Sequence, residues 1–203
     1  LVHSRSAEEI FVENGFAPYR REIMYNDFVV IGSKFDPAGI KKLKNLTAIL
    51  KAIKNSESKF ISRGDDSGTH KMELALWLQA DETPQNFSVN WYWEVGAGMG
   101  AVLNIASELS AYVISDRASW LNFGRKGDLD ILFEGDEELF NQYSYLPISK
   151  VKYPNIAYKN ARLVEDWLVS SKAGYLMQNY KIRGQNLFFP NSKLIAILIL
   201  KQN

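Results

Sequence analysis

The segment SRGDDSGTH (residues 62–70) joins a predicted strand to a predicted helix. Phe60 and Ile61 end the strand, and residues 71–78 are rich in good helix formers with many apolar side chains. A turn from strand to helix is the repeating unit of α/β proteins. The segment therefore predicts an α/β fold in which Ser and Thr hydroxyls lie where a helix begins.

The same segment carries groups that can bind an anion. The N–H groups in the first turn of a helix lack partners and carry a partial positive charge. The hydroxyls of Ser67 and Thr69 and the guanidinium of Arg63 add donors, and Gly68 lets the backbone come close. Asp65 stands where its carboxylate can orient the guanidinium. We therefore predict a small oxyanion site in which Arg63, Ser67, Gly68 and Thr69 bind the ligand and Asp65 supports them.

Two other interpretations remain open for this segment. Ser and Thr at a helix start are most often caps that bind no ligand. An enzyme could use Ser67 as a nucleophile with His70 as its base, but no nucleophile-elbow or oxyanion-hole pattern accompanies them. We expect a binding protein and not an enzyme.

Composition narrows the classes of function. The chain has 203 residues, 46% of them hydrophobic, which allows a substantial core. Its 24 Lys and Arg balance 23 Asp and Glu, so there is no basic field for nucleic acid. Cysteine is absent and only two histidines occur, so we expect neither a metal nor a cofactor. The longest apolar run, residues 194–200, is too short to span a membrane and predicts a buried strand in a soluble protein.

Strands and helices alternate along the chain, and two glycine-rich breaks divide it. The breaks lie near Gly32 and at Gly124 to Gly127, and they predict lobe I at residues 1–31 plus 127–203 and lobe II at residues 32–126. Strands are predicted at 27–32, 60–62, 111–115, 129–133 and 143–149, and helices at 7–14, 39–54, from about 69, at 98–109, near 160–170 and at 174–179.

Two further segments are candidates for ligand contact. The glycine-dense stretch 96–100 leads into a predicted helix, which makes Gly98 and Met99 candidates at a second helix start. Ser115 ends a predicted strand and is a third candidate. The glycines also have a structural interpretation, since they would allow close packing under the aromatic residues 91–93.

Several segments together resemble the tungstate-binding proteins of bacterial ABC importers, a branch of the type II periplasmic binding protein superfamily. The S-R-G-D-D-S-G-T-H core is the most specific match, and the others follow in family order through nearly the whole chain. They are YNDFVVIG (25–32), DPAGI (36–40), SRGDDSGTH (62–70), GAGMG (96–100), AYVISDR (111–117) and EGD (134–136).

The resemblance implies a two-lobed α/β fold with a mixed sheet in each lobe and a two-strand hinge. It implies that Arg63 and Thr69, with Ser67 and Gly68 beside them, hold tungstate or molybdate in the periplasm for a membrane permease. Phosphate-binding relatives share the pattern R-x-D-x-S-G-T, so phosphate, sulfate or an organic anion is an alternative ligand. The effector domain of a transcription regulator is an alternative role for the same fold.

One departure from the family concerns the start of the chain. Family members begin with a strand and a T-T-T-S loop that contributes ligand hydroxyls, whereas residues 1–4 match a strand well inside the first lobe. We therefore expect lobe I to be incomplete at its N-terminus. An exposed sheet edge would then favour a dimer.

Overall fold

The computed structural model describes residues 1–192. They divide into two compact units: a first unit of residues 1–26 and the chain from Asn141 onward, and a second unit, Asp27–Phe140. The lobe boundaries predicted at 31/32 and 126/127 both fall within this second unit. The predicted hinge stays a prediction, and the predicted strand at 194–200 lies outside the described residues.

Helices and strands alternate through much of the described chain, which confirms the predicted α/β class. The helices are α1 Arg5–Glu13, α2 Leu46–Asn55, α3 Gly68–Gln79, α4 Met99–Leu109, α5 Arg117–Asn122, α6 Tyr158–Leu168 and α7 Ser171–Asn179. The strands are β1 Arg21–Ser33, β2 Phe60–Ser62, β3 Tyr92–Glu94, β4 Val113–Asp116, β5 Leu129–Phe133, β6 Phe140–Tyr145, β7 Lys181–Ile182, β8 Gln185–Asn186 and β9 Phe189–Pro190. Short 3-10 helices occupy Ile40–Lys42, Pro84–Asn86 and Glu137–Leu139.

The predicted helix at 39–54 was wrong in its first half. A 3-10 turn at Ile40–Lys42 ends where Leu43 becomes extended, with φ −88° and ψ 152°. The α-helix starts later because the side chain of Asn45 accepts a hydrogen bond from the Ala48 N–H at 2.8 Å and caps it. The strand predicted at 143–149 lies earlier, at Phe140–Tyr145.

In the second unit, three strands run parallel and end at the same edge. β2 pairs with β3 in parallel register, with Ser62 opposite Glu94. A parallel bridge joins Phe60 of β2 to Tyr112, the residue immediately before β4. β1 then pairs antiparallel with both β4 and β5. Because parallel strands share a carboxyl edge, the residues after β2, β3 and β4 emerge on the same side.

Aromatic rings fill the core of the second unit beneath this edge. Phe60 stacks on Tyr92 with the ring centroids 5.7 Å apart, and meets Trp77 edge-on at 5.3 Å. Trp77, on α3, is completely buried. These contacts fix α3 against β2 and β3, so the start of α3 has a defined position above the sheet.

A carboxyl group, Glu73, is buried in this aromatic core. Its Oε1 accepts hydrogen bonds from the Tyr92 hydroxyl at 2.7 Å and from the Trp77 Nε1–H at 3.3 Å. Burial away from water raises the pKa of Glu73 to about 7, and the nearby Glu94 adds to the rise. Folding therefore favours the protonated form of this side chain.

The first unit is organised around the N-terminal half of β1. Met24 and Tyr25 pair antiparallel with Pro190 and Phe189 of β9, and β6 also pairs with β1. Glu165 of α6 is fully buried and binds Tyr19, Arg21 and Arg162. The ion pair with Arg21 attaches α6 to β1.

Gly32→Ala is expected to destabilise the fold. A Cβ at residue 32 would lie 2.5 Å from Cδ1 of Tyr112 and 2.9 Å from Cδ1 of Leu132. Tyr112 cannot move aside easily, because its hydroxyl is bonded to Asp36 at 2.8 Å and to the Ala38 N–H at 3.0 Å. Overpacking of this kind should lower the free energy of unfolding by about 1–3 kcal/mol in a urea titration.

The control is Gly100→Ala, in α4, where an added Cβ meets no atom within 4 Å. This variant should be as stable as the unmodified chain, or more stable by up to about 1 kcal/mol, because alanine favours helix. Equal stability of the two variants would contradict the packing argument.

Glu73→Gln is expected to remove part of the pH dependence of stability. The pKa of Glu73 in the folded chain is about 7, above the ordinary value of 4.5. The contribution of its neutral form to the free energy of unfolding is therefore fully present below pH 4.5 and is lost as the pH rises through 7. Glutamine stays neutral throughout. Between pH 5 and pH 8 the unmodified chain should therefore lose on the order of 1–3 kcal/mol more than the variant in urea unfolding.

The matched control is Glu108→Gln, at an exposed position of α4 in the same unit. It should follow the unmodified chain at both pH values. If the free energy of unfolding changed equally with pH in Glu73→Gln and in the unmodified chain, a raised pKa at Glu73 would be ruled out.

Candidate functional site

The turn between β2 and α3 contains the first set of predicted ligand residues. Ser67 is the N-cap of α3, and its hydroxyl accepts a hydrogen bond from the His70 N–H at 3.3 Å. Gly68 is the first helical residue and is exposed, whereas Thr69 is 8% exposed in the first turn. The capping role of Ser67 is thus real. It is compatible with an anion site, because a cap satisfies one donor and leaves others at the helix start.

Arg63 and Asp65 form the ion pair that the sequence predicts. Nη2 of Arg63 donates to Oδ2 of Asp65, and Oδ1 of Asp65 accepts from the Ser67 N–H at 3.2 Å. Hydrogen bonding from Ser67 first, and then from Arg63, lowers the pKa of Asp65 to about 2. The carboxylate stays charged at neutral pH and holds the guanidinium beside the helix start.

One donor of Arg63 has unused hydrogen-bonding capacity. Its Nε is buried and has no hydrogen-bond partner among residues 1–192. The side chain as a whole is 19% exposed, so part of the guanidinium reaches the surface. A buried donor without an acceptor costs free energy, and sites that bind polar ligands commonly contain such groups.

The loop after β3 lies directly beside the loop after β2. The carbonyl oxygen of Arg63 accepts from the N–H groups of Gly96 at 2.8 Å and Ala97 at 3.3 Å. Gly64 has φ +61°, and a Cβ there would lie 2.7 Å from Cβ of Glu94. Only glycine fits this combination of a left-handed backbone and close approach. The loops that lead into α3 and α4 are therefore packed together.

Gly98, Met99 and Ser115, the other predicted ligand residues, lie along the carboxyl edge of the parallel strands. Gly98 is the exposed N-cap residue of α4, and Met99 begins the helix but is buried. Ser115 is buried as well, and its hydroxyl donates to the Asp116 carbonyl at 3.0 Å. Asp116 in turn caps α5 by accepting from the Ser119 N–H at 2.8 Å. The strand ends are thus brought together, and ligand contact by each of these residues stays a prediction.

Sequence analysis missed the residues that join the two loops. They are Gly64, His70 and Glu94, and Nε2 of His70 lies 3.4 Å from Oε1 of Glu94. β3 was also missed, because three residues are too few to show an alternating pattern. The β-favouring residues Trp91-Tyr92-Trp93 were the available signal.

Partly open hollows occur in both units. A cavity of about 620 Å³ occurs in the first unit, lined by Tyr19, Arg20, Arg21, Glu22, Val169, Asn191 and Ser192. A hollow of about 420 Å³ in the second unit lies beside the start of α4 and is lined by residues that include Gly100, Leu103 and Ser119. Within residues 1–192, no three His, Asp or Glu side chains cluster as metal ligands, and no helix is both long and apolar enough to cross a bilayer.

Comparison with known proteins gives consistent matches over most of the chain. A PBP superfamily domain matches residues 1–172. The tungstate-binding protein TupA of Peptoclostridium acidaminophilum is 44% identical over 196 residues, which cover 95% of this chain and 68% of that protein. Across three curated relatives the chain spans 57–72% of their lengths.

Solved structures agree with this result. The tungstate-binding protein TupA from Desulfovibrio alaskensis G20 superposes with a TM-score of 0.86 at 38% identity, covering 95% of this chain and 78% of that one. A tungstate ABC transporter structure from Geobacter sulfurreducens has a TM-score of 0.72 at 42% identity, covering 88% and 75% of the two chains. The periplasmic-binding-protein-like fold predicted from the sequence is confirmed. The chain therefore belongs to the PBP superfamily and, within it, to the family of the tungstate-binding proteins TupA.

Proposed function

We propose that this chain is the ligand-binding part of an extracytoplasmic solute-binding protein that captures tungstate, or molybdate, for an ABC importer. The observation that carries the proposal is the Arg63 guanidinium, held by Asp65 beside the start of α3. The likeness to TupA proteins, at 44% identity in one case, supports the choice of a tetrahedral oxyanion.

The charge distribution favours a small anion bound locally. The net charge of the chain is only +1, so attraction must come from groups at the site. Arg63 and the first-turn N–H groups of α3 supply them, and Thr69 adds a hydroxyl. We propose that the anion rests on Arg63, Ser67, Gly68 and Thr69, with Gly98 and Met99 at the edge and Ser115 beneath.

Protonation state is the proposed basis of selectivity. Tungstate and molybdate are fully deprotonated dianions near neutral pH and need only donors, whereas protonated phosphate also needs an acceptor. Both oxygens of Asp65 already accept hydrogen bonds, from Arg63 and from Ser67. Because each oxygen is directed at Arg63 or Ser67, Asp65 orients the site and is not proposed as an acceptor for the ligand, which supports a preference for the dianions over phosphate.

The cellular role is proposed along with the ligand. We propose that the protein works in the periplasm and delivers its oxyanion to a membrane permease, with no resident cofactor and no catalytic step. The likeness to TupA and to an ABC transporter anion-binding protein supports this role. A dimer through an exposed sheet edge stays a prediction of the sequence.

Calorimetric titration with tungstate, molybdate, sulfate and phosphate tests the function. We expect heat and thermal stabilisation with tungstate and molybdate and little with phosphate, whose proton needs an acceptor. Sulfate, which is also a dianion near neutral pH, measures how far the site selects by more than protonation state. The titration is repeated on a longer chain that carries the T-T-T-S loop expected from the family, which measures the contribution of that loop. Absence of tungstate binding in both chains would refute the proposal.

Arg63→Ala is expected to weaken tungstate binding. A hydrogen bond to a charged group contributes about 1.5–3 kcal/mol, so Kd should rise roughly 10- to 200-fold. Arg63→Lys keeps the charge but loses the planar guanidinium, so its Kd should lie between those of the unmodified chain and Arg63→Ala. Calorimetry gives the affinities, and circular dichroism checks that each variant is folded at the titration temperature.

The control is Arg125→Ala, an exposed arginine of the same unit. It should leave Kd unchanged, because its charge lies in a different loop. An Arg63→Ala variant that binds tungstate as tightly as the unmodified chain would remove Arg63 from the site.

A further inference from the structure

His70 is 9% exposed and lies where the two packed loops meet. Its Nδ1 accepts a hydrogen bond from the N–H of Asp66 at 3.1 Å. Its Nε2 faces Glu94 of the neighbouring loop, 3.4 Å from Oε1. The imidazole therefore touches both the turn before α3 and the residue that ends β3.

We propose that His70 is a positioning residue, whose Nδ1 holds residues 63–67 in the shape that oxyanion binding requires. The proposal rests on the proposed function of this site, and it adds a role for a side chain that donates nothing to the ligand. The imidazole acts through the backbone of the turn.

The hydrogen bond determines which ring nitrogen carries the proton. Nδ1 accepts from the Asp66 N–H, so it holds a lone pair and no proton. The neutral ring then carries its proton on Nε2, which lies 3.4 Å from Oε1 of Glu94 but has no hydrogen-bond partner among residues 1–192. The hydrogen bond at Nδ1 therefore fixes the tautomer and ties the ring to the turn before α3.

The backbone at Asp66 needs such an anchor. Asp66 has φ +57°, a left-handed conformation that costs a non-glycine residue free energy. Its side chain pairs with Lys71 at 3.2 Å, but both side chains are mostly exposed, so this pair contributes little. The bond to the buried imidazole is the stronger constraint on the turn.

The fixed conformation of the turn determines where the remaining backbone N–H groups point. The N–H groups of Asp66, Ser67 and His70 are bonded to His70 Nδ1, Asp65 Oδ1 and Ser67 Oγ. The N–H groups of Gly68 and Thr69 are the first two of α3, where the helix itself supplies no acceptor. Holding the turn in place therefore presents these two donors, next to Arg63, without rearrangement on binding.

Two variants separate the roles of the ring nitrogens. His70→Asn places a carboxamide oxygen near the position of Nδ1, whereas His70→Gln reaches the position of Nε2. We expect His70→Asn to bind tungstate within about 3-fold of the unmodified chain and His70→Gln to bind at least about 10-fold more weakly. Hydrogen exchange at the Asp66 amide should stay slow in the first variant and become fast in the second.

His3→Gln is the control, because His3 is the other histidine and lies in the first unit. It should change neither tungstate affinity nor exchange at Asp66. Equal affinities for His70→Asn and His70→Gln, or tighter binding by His70→Gln, would overturn the role of Nδ1.

A measurement without any anion keeps this inference separate from the proposed function. In the His3→Gln variant only the His70 ring remains, so its nitrogen NMR signals are assigned directly. We expect an unprotonated Nδ1 and a protonated Nε2 at neutral pH. The opposite tautomer would overturn the inference. The expected tautomer with slow Asp66 exchange, but without tungstate binding by either the unmodified or the longer chain, would overturn the proposed function and leave the anchored turn standing.

Discussion

The carbonyl oxygen of Arg63 accepts hydrogen bonds from the loop that follows β3, and the geometry of the candidate site depends on this contact. It holds two helix starts, at Gly68 and Met99, next to each other at the carboxyl edge of parallel strands. The close approach at Gly64 is the steric condition for it. Without this junction, Arg63 would have a partner in Asp65 but no fixed position relative to the second helix.

The sequence predicted the elements of this region better than their contacts. β2 and β5 have the predicted bounds, and α3 begins at Gly68 where a helix from about Thr69 was expected. The bounds of these elements follow from the intrinsic propensities of their own residues and from Gly68 at the start of the helix. The close approach of Gly64 to Glu94 joins residues far apart in the chain, so it is set by tertiary packing. The bond from the Asp66 N–H to His70 is local, but it depends on the left-handed backbone of Asp66, which no pattern in the sequence indicated.

Two carboxyl groups near the start of α3 differ because their surroundings differ. Asp65 receives charged and polar donors at the surface and stays ionised, whereas Glu73 lies among aromatic rings that disfavour its charge. Asp65 is therefore a fixed negative charge that orients Arg63, whereas burial shifts Glu73 toward its protonated form.

The second unit is one uninterrupted stretch of chain, Asp27–Phe140, and it contains all of the candidate ligand residues. The first unit is made of the two stretches on either side. In a gene, such a unit can be replaced or transplanted by recombination at only two points, both within strands that pair with each other, β1 and β6. Residues 27–140, with Arg63 and the start of α3, can therefore be exchanged as one contiguous stretch of chain, separately from the sequence of the first unit.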